Sequence, residues 1–487
     1  MHQDDDLKYF ESREFKEILA VYESAQEAGS AVYMEADELT DIAEYYSMVK
    51  HDEQQAADVI ALALQLHPDA VDPQIFRARQ FMQEGDTQMA MQICDAIEDQ
   101  EHREVYFLRA ELLVRDEKVA QAVQLLAQAA QQLEEDKDYF LYDAAYVFID
   151  YRRFEAACGF VYELEKMAPD WYKTWQVAAD TSLGLEEYRK ALGYIERMLD
   201  VDPFSIESWN WSAEAYTGLK DYDEAMNSLD YALAIDPDND RASQLKAWIF
   251  MQQGNYQRAH ELYQREIARD PENEQNWLYD SYCLLDADQK DEALASIERA
   301  EELADGVSPD QVAIYEMHAQ MLSLKGRVDE ALSYIDKDEA ISGPDGDPTD
   351  YELLRACVYA ENHRVKESLQ VVERACNNAA PDRHLDIYYQ AAVMMVNTEY
   401  YDIALDLFDE LLKVEDVKAA DAADYHAYMA YCCKMLHQDG TALTHILEAR
   451  EQASARLKEL FEEDFPGVQP AEYYDYYYYR VYGRWPE

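Results

Sequence analysis

The chain has 487 residues, with 102 Asp and Glu against 42 Lys and Arg, and its formal charge of −60 is spread along the whole length. A field of that sign repels phosphate backbones and anionic lipid surfaces, and no Lys/Arg-rich run supplies a footprint, so neither nucleic acid nor a membrane is an expected partner. No run of about 18 apolar residues exists to span a bilayer, and seven cysteines without paired spacing read as reduced core thiols and not as a disulfide framework.

Met1-His2-Gln3-Asp4-Asp5-Asp6 lacks the basic-then-apolar order of a secretory signal, which points to the cytoplasm. Phe15, Ile18, Leu19, Tyr22 and Ala25 then make an apolar stripe at helical spacing. Residues 1–36 are therefore expected to hold a capping helix or half-repeat that covers the open edge of the next structural unit.

From residue 37 onward the chain is a repeat. Alanine recurs at Ala56, Ala90, Ala122, Ala157, Ala191, Ala225, Ala259, Ala293 and Ala331, and the series continues with Ser368, Ala404 and Ala442. From Ala157 to Ala293 every step is 34 residues. A second series lies twelve residues upstream: Ala78, Ala110, Ala145, Ala179, Ala213, Ala247, Ser281, Ala319, Ala356, Ala392 and Ala430, broken only by Glu44. Small residues at two fixed places in a helical unit let two backbones approach closely, so the unit is expected to be a helical hairpin. In the clearest copy, Ile206 to Asn239, Trp209, Ala213 and Tyr216 fall on a first helix and Ala225, Leu229 and Ala232 on a second. Gly218 and Asp221 read as breakers between them, and Pro237 stops the second helix, as Pro68, Pro169, Pro203 and Pro271 do in other copies.

The order Trp209, Ala213, Tyr216, Ala225, Leu229, Pro237 resembles the tetratricopeptide repeat. Twelve copies fit, beginning near residues 37, 71, 103, 138, 172, 206, 240, 274, 312, 349, 385 and 423. The end copies depart from the pattern: Glu44 replaces the small residue, His102 and Glu134 the proline, and Ser368 the alanine. The resemblance implies an all-α fold, a right-handed α-α superhelix (solenoid) of about twelve hairpins over residues 37–456. It also implies a protein-binding role, because the first helices of such arrays line a concave face.

On each first helix, positions two, five, nine and twelve of the unit form the stripe that the resemblance assigns to that face. The stripe carries Tyr45, Tyr139, Tyr142, Tyr146, Asp180, Glu207, Asn210, Glu214, Trp248, Tyr282, Tyr389 and Tyr431. At position nine Arg79 is the one basic residue and Asn is absent, which departs from the relatives that grip acidic C-terminal tails with Lys and Asn. Aromatic rings flanked by carboxylates suit Arg- or Lys-bearing segments through cation–π contact and ion pairing, the former worth about 0.5–2 kcal/mol each. The expected partner is a protein or peptide segment from a basic client, and no cofactor or metal is expected.

Residues 341–349 read as a loop. Its Asp345, Asp347 and Asp350 lack the spacing of a calcium loop, since Asp350 stands where the glycine belongs. His260-Glu261 lacks the second histidine of a metalloprotease pair, and no phosphate-cradling loop or nucleophile elbow occurs, so no catalysis is expected. Residues 457–487 begin with Leu457, Leu460 and Phe461, a capping helix, and end with Tyr473, Tyr474, Tyr476, Tyr477, Tyr478, Tyr479, Tyr482 and Trp485. That tail reads either as a docking segment, for a partner or for this chain's own groove, or as packing on the last helices. The leading expectation is a non-enzymatic scaffold or adaptor. The alternative is a regulatory module of an enzyme or signalling system whose groove is occupied by its own Tyr-rich tail.

Overall fold

The computed structural model describes residues 9–28, 32–133, 135–304, 306, 308–343, 347–414 and 418–486. Met1–Asp6, Glu134, Asp345 and Glu487, which enter the sequence reading, lie outside them. Among the described residues there are helices and no strands.

Helix α1 (Arg13–Glu27) is followed by twelve pairs. They are α2 and α3 (Ala36–Met48, Glu53–Leu66), α4 and α5 (Val71–Gln83, Thr87–Ala96), α6 and α7 (Arg103–Arg115, Val119–Gln132), and α8 and α9 (Lys137–Ile149, Phe154–Met167). Next come α10 and α11 (Tyr172–Gly184, Tyr188–Val201), α12 and α13 (Ile206–Gly218, Tyr222–Ile235), α14 and α15 (Asp240–Gln252, Tyr256–Arg269), and α16 and α17 (Glu274–Asp286, Lys290–Leu303). The last four are α18 and α19 (Gln311–Leu324, Val328–Ser342), α20 and α21 (Pro348–Glu361, Val365–Asn378), α22 and α23 (His384–Asn397, Tyr401–Leu412), and α24 and α25 (Ala419–Met435, Asp439–Ala449). Helices α26 (Ser454–Phe461) and α27 (Tyr473–Tyr482) end the chain.

Both small-residue series lie where two helices meet. Every member of the series from Ala56 to Ala442 is fully buried, as is every member of the upstream series except the nearly buried Ala319. The aromatic and proline positions are physically linked: the indole N–H groups of Trp175, Trp209 and Trp277 donate to the carbonyl oxygens of Pro169, Pro203 and Pro271 at 2.8–3.0 Å. Each such bond ties the start of one pair to the end of the pair before it, which explains why the two residue types recur together.

The turn inside each pair differs from the expectation in one respect. Gly218 ends α12 and is not the residue that reverses the chain. Lys220 does so, with φ of 61°, and Asp221 caps α13 by accepting from the Glu224 amide. His51, Glu117, Arg152, Glu186, Asp288, His363, Glu399 and His437 take the same left-handed conformation at equivalent turns. Gly218 is small for another reason: a Cβ there would lie 2.3 Å from the Tyr188 ring. Gly184, one repeat earlier, meets Phe154 in the same way.

The described residues divide into two compact units, one ending at Ile249 and the other beginning at Phe250, within α14. A hairpin array has no core common to all its members, so neighbouring contacts alone define such groupings. In the first unit α1 buries Phe15, Leu19 and Tyr22 against Leu39, Ile42 and Ile60 of the first pair, covering its apolar edge. Successive first helices α2, α4, α6, α8, α10 and α12 touch one another, whereas among the second helices only α7 and α9 do so appreciably. In the second unit α16, α18, α20, α22 and α24 likewise touch in series. Each unit therefore curls with its first helices on the inner side. Residues Asp347 and Asp350 are both paired to Arg383, which accounts for the acidic loop without a metal.

Candidate functional site

In the first unit the inner face gathers stripe residues from α8, α10 and α12. Asp180 sits half-buried on α10, and removal from water pushes its carboxyl up to about 7, helped by the like charges of Glu207, Glu214 and Asp150 and opposed by Arg241. Glu214 accepts from Arg241 at 2.5 Å. Burial also raises the Tyr146 hydroxyl well above its ordinary value, with the neighbouring Tyr142 and the carboxylates of Asp180 and Glu207 adding to the effect. The structure thus brings Tyr146, Asp180, Glu207 and Glu214 into one acidic, aromatic-edged patch.

Tyr142 is a correction to the sequence reading. It is buried in the core, where its hydroxyl donates to Gln176 Oε1 at 2.9 Å and its ring meets Tyr146 edge-on. It bridges α8 to α10 and offers no surface to a partner. Tyr139, at 45 % exposure, does: its ring meets Trp171 edge-on, and the Lys173 ammonium lies 5.5 Å from its centre. That contact is an internal instance of the cation–π chemistry expected of a client. Asn210 is buried, its amide N–H donating to Asn239 Oδ1 at 3.2 Å while its own Oδ1 has no hydrogen-bond partner. Trp248 is half-buried and approaches Tyr222 edge-on.

Tyr45 packs against Phe10 and Phe15, so it serves the N-terminal cap more than the groove. Near it a cavity of about 360 Å³ is bordered by Asp37, Asp41, Asp72 and Glu104. Arg79, also at its edge, forms ion pairs with Glu111 at 2.9 Å and Glu104 at 3.6 Å, so its positive charge is already matched.

In the second unit a groove of about 980 Å³ runs along the inner face of α18, α20, α22 and α24. Leu353, Leu354, Cys357, Val393 and Met394 supply apolar lining, Glu316, Asp350, Glu361 and Glu399 supply negative charge, and Arg456, paired with Asp424 and Glu459, supplies the one guanidinium of the lining among the described residues. Tyr389 forms part of the wall, its hydroxyl donating to Asp424 Oδ2 at 2.7 Å and its ring among Phe408, Tyr425 and Tyr428. Tyr282 is half-buried beside Tyr279, with burial and Glu316 raising its hydroxyl. Tyr431 meets Tyr401 and Phe461 edge-on, with the Lys434 ammonium 5.2 Å from its ring centre. Glu316 and Glu361 were not singled out from the sequence, and Asp350 was considered only as a loop carboxylate. Glu316 occupies position five and Asp350 position two of their repeats, so the same stripe rule reaches both; Glu361 falls one residue past the stripe.

The Tyr-rich tail is a helix packed on the end of the array. Tyr473 and Tyr477 are buried in the last core with Phe461, Phe465 and Leu457, and the Tyr477 hydroxyl donates to Asp439 Oδ1 at 2.8 Å. Tyr474 and Tyr478 pack at the edge of that core. Tyr476, Tyr479, Tyr482 and Trp485 face outward, with Tyr479 stacked on Trp485 at 4.8 Å. The expectation that the tail fills this chain's own groove is not met; it closes the open face of α24, α25 and α26. Tyrosines one turn apart, Tyr473 and Tyr477, make that closure, and sequence spacing alone did not separate it from a docking motif.

Among the described residues no group of three His, Cys, Asp or Glu side chains is arranged to hold a metal ion, and no helix is long and apolar enough to cross a membrane.

Residues 182–249 match the family model for the tetratricopeptide repeat, and residues 219–300 match the model for anaphase-promoting complex, cyclosome, subunit 3. No curated protein sequence matches the chain. Among solved structures it is similar to a tetratricopeptide repeat protein from Parabacteroides merdae, with 15 % identity and a TM-score of 0.41 over 55 % of this chain and 98 % of that one. It is also similar to the Cut9–Hcn1 hetero-tetramer of the APC/C, with 14 % identity and a TM-score of 0.34 over 93 % and 94 % of the two chains. A third is YrrB, described as having an unusual peptide-binding site, with 16 % identity and a TM-score of 0.30 over 37 % and 91 %. The family match over residues 182–249, the buried small-residue pairs and the Trp-to-Pro bonds that tie one hairpin to the next agree on an all-α array of hairpins, of the superhelix class, whose central copies are tetratricopeptide repeats.

Proposed function

We propose that this chain is a non-catalytic scaffold that holds a segment of a basic client protein along the inner faces of its first helices. Hairpin arrays offer extended rigid surface to their partners, and the chemistry of this surface favours cations. The observation that carries the reading is Asp180. Its carboxyl is held up to about 7 by burial and by Glu207 and Glu214, with Arg241 as the opposing cation. An arriving Lys or Arg relieves that repulsion, and relief on binding is a source of affinity. Tyr139 and Trp248 supply ring surface on other first helices of the same series.

On this reading residues 1–36 and 457–487 are caps and residues 37–456 the binding array. Seven unbridged thiols suit a reducing compartment, and the cytoplasm is the place we assign. Neither nucleic acid nor membrane is a partner on this account, because the charge has the wrong sign for both.

A random-peptide library displayed on phage, selected against the immobilised full chain, tests the proposal. Enrichment of peptides with Lys or Arg beside apolar residues is the expected result. Enrichment of acidic peptides, or selection with no charge bias, refutes it.

A further inference from the structure

The second unit holds a side cavity of about 340 Å³ between α16, α18, α19 and α20. Glu316, Leu354, Cys357 and Glu361 line both this cavity and the 980 Å³ groove, so the two are continuous. We propose that the cavity is a specificity subsite that receives one lysine or arginine side chain of the segment bound in the groove. This rests on the scaffold reading above and adds to it a particular chemical demand at a particular place.

Three carboxylates define it. Asp338, on α19, is 1 % exposed, and the hydrogen bond made by its carboxylate is to the Ser342 hydroxyl at 3.2 Å. Glu316 projects from α18 on the groove side, and Glu361 from the end of α20, where it accepts from Ser323. Buried carboxylates are normally matched by a cation or by several donors. Neither Glu316 nor Asp338 has a cationic partner among the described residues, because the nearby cations are engaged elsewhere. Lys337 pairs with Glu301 at 3.0 Å, Arg355 with Asp336 at 2.7 Å and with Glu339 and Glu352, and Lys325 with Asp291. Loss of water raises both the Glu316 and the Asp338 carboxyl, and Asp338 adds like charge to Glu316.

The rest of the lining suits a long cationic side chain. Leu354 and Cys357 flank the passage from the groove and can take an aliphatic stem, while the head reaches the carboxylates. Burial and the charge of Glu361 push the Cys357 thiol up to about 12, so it stays neutral and adds apolar surface. Tyr282 stands at the α16 side with a ring that a cation can approach. A neutral side chain of equal length would leave the carboxylates unmatched, and an acidic one would be repelled.

The test uses the full chain and fluorescein-labelled peptides of one Leu/Ser frame carrying three lysines, in which the central lysine is kept, changed to arginine, acetylated or replaced by norleucine. Fluorescence anisotropy is read for the wild type and for Glu316→Gln with Asp338→Asn. The wild type is expected to lose about tenfold in affinity on acetylation or norleucine replacement and to keep it with arginine. The Glu316→Gln/Asp338→Asn variant should bind the lysine peptide about tenfold more weakly and should no longer distinguish lysine from norleucine. Both substitutions remove uncompensated charge, so thermal melts should match or exceed the wild type. If the wild type binds the lysine peptides and this variant binds them equally well, the subsite is refuted while the scaffold reading stands. If the wild type binds none of the cationic peptides at low salt, both are refuted.

Discussion

Asp180 gives the acidic stripe a titration that can be followed. Its carboxyl is moved from an ordinary 3.8 to about 7 by burial first and then by Glu207, Glu214 and Asp150. Between those values the folded chain keeps a proton that the unfolded chain has lost, so folding stability falls as pH rises through the window and the full penalty is present above it. Asp180→Asn is therefore expected to raise the melting temperature at pH 8, by the equivalent of roughly 1–2 kcal/mol once solvent screening of a partly exposed site is allowed for, and to have a smaller effect at pH 5. Melts of both proteins at the two pH values check this, and an equal shift at both would contradict the assignment. Much of this patch was legible in the sequence, since Tyr146, Asp180, Glu207 and Glu214 all follow from stripe positions. Tyr142 was misread because position five points toward the neighbouring helix in that repeat, and Asp338 was invisible because it lies on a second helix, outside any stripe rule.

At the scale of the hairpin, small residues decide how closely helices approach. Gly218 and Gly184 hold no turn; each makes room for an aromatic ring from the second helix of the preceding pair, Tyr188 and Phe154 respectively. Gly218→Ala would force the Tyr188 ring to move, and overpacking of this kind costs about 1–3 kcal/mol. Denaturant unfolding should show that loss for Gly218→Ala, while Gly193→Ala, whose new methyl meets nothing within 4 Å, should be neutral or stabilising. Equal behaviour of the two variants would overturn the close-approach account. Helix starts were readable to within a few residues because alanine spacing, caps such as Asp221 and stops such as Pro237 recur in register. The residue that reverses the chain was not, since Lys220, Glu186 and Arg152 carry no compositional mark of the left-handed turn they adopt.

For the molecule as a whole, a solvating coat and a device for capture make different demands on where carboxylates lie. A coat would be indifferent to which helix faces the partner. The inner faces instead combine charge with apolar lining and rings: Tyr139, Tyr146 and Asp180 in the first unit, and Leu354, Val393, Tyr389 and Glu316 in the second. The outward aromatics of α27, Tyr476, Tyr479 and Trp485, form the competing surface. Attraction between exposed charges is screened over about 8–10 Å near physiological salt, so capture through the stripe should weaken as salt is added.

The most direct measurement is photo-crosslinking of the full chain to the three-lysine peptide carrying a benzophenone group, with the adducts mapped by mass spectrometry at low and at high salt. Adducts on the inner face of α8, α10 and α12 or of α18, α20 and α22, diminishing as salt rises, are the predicted result. Salt-insensitive adducts on the second helices or on Tyr476, Tyr479 and Trp485 would contradict it.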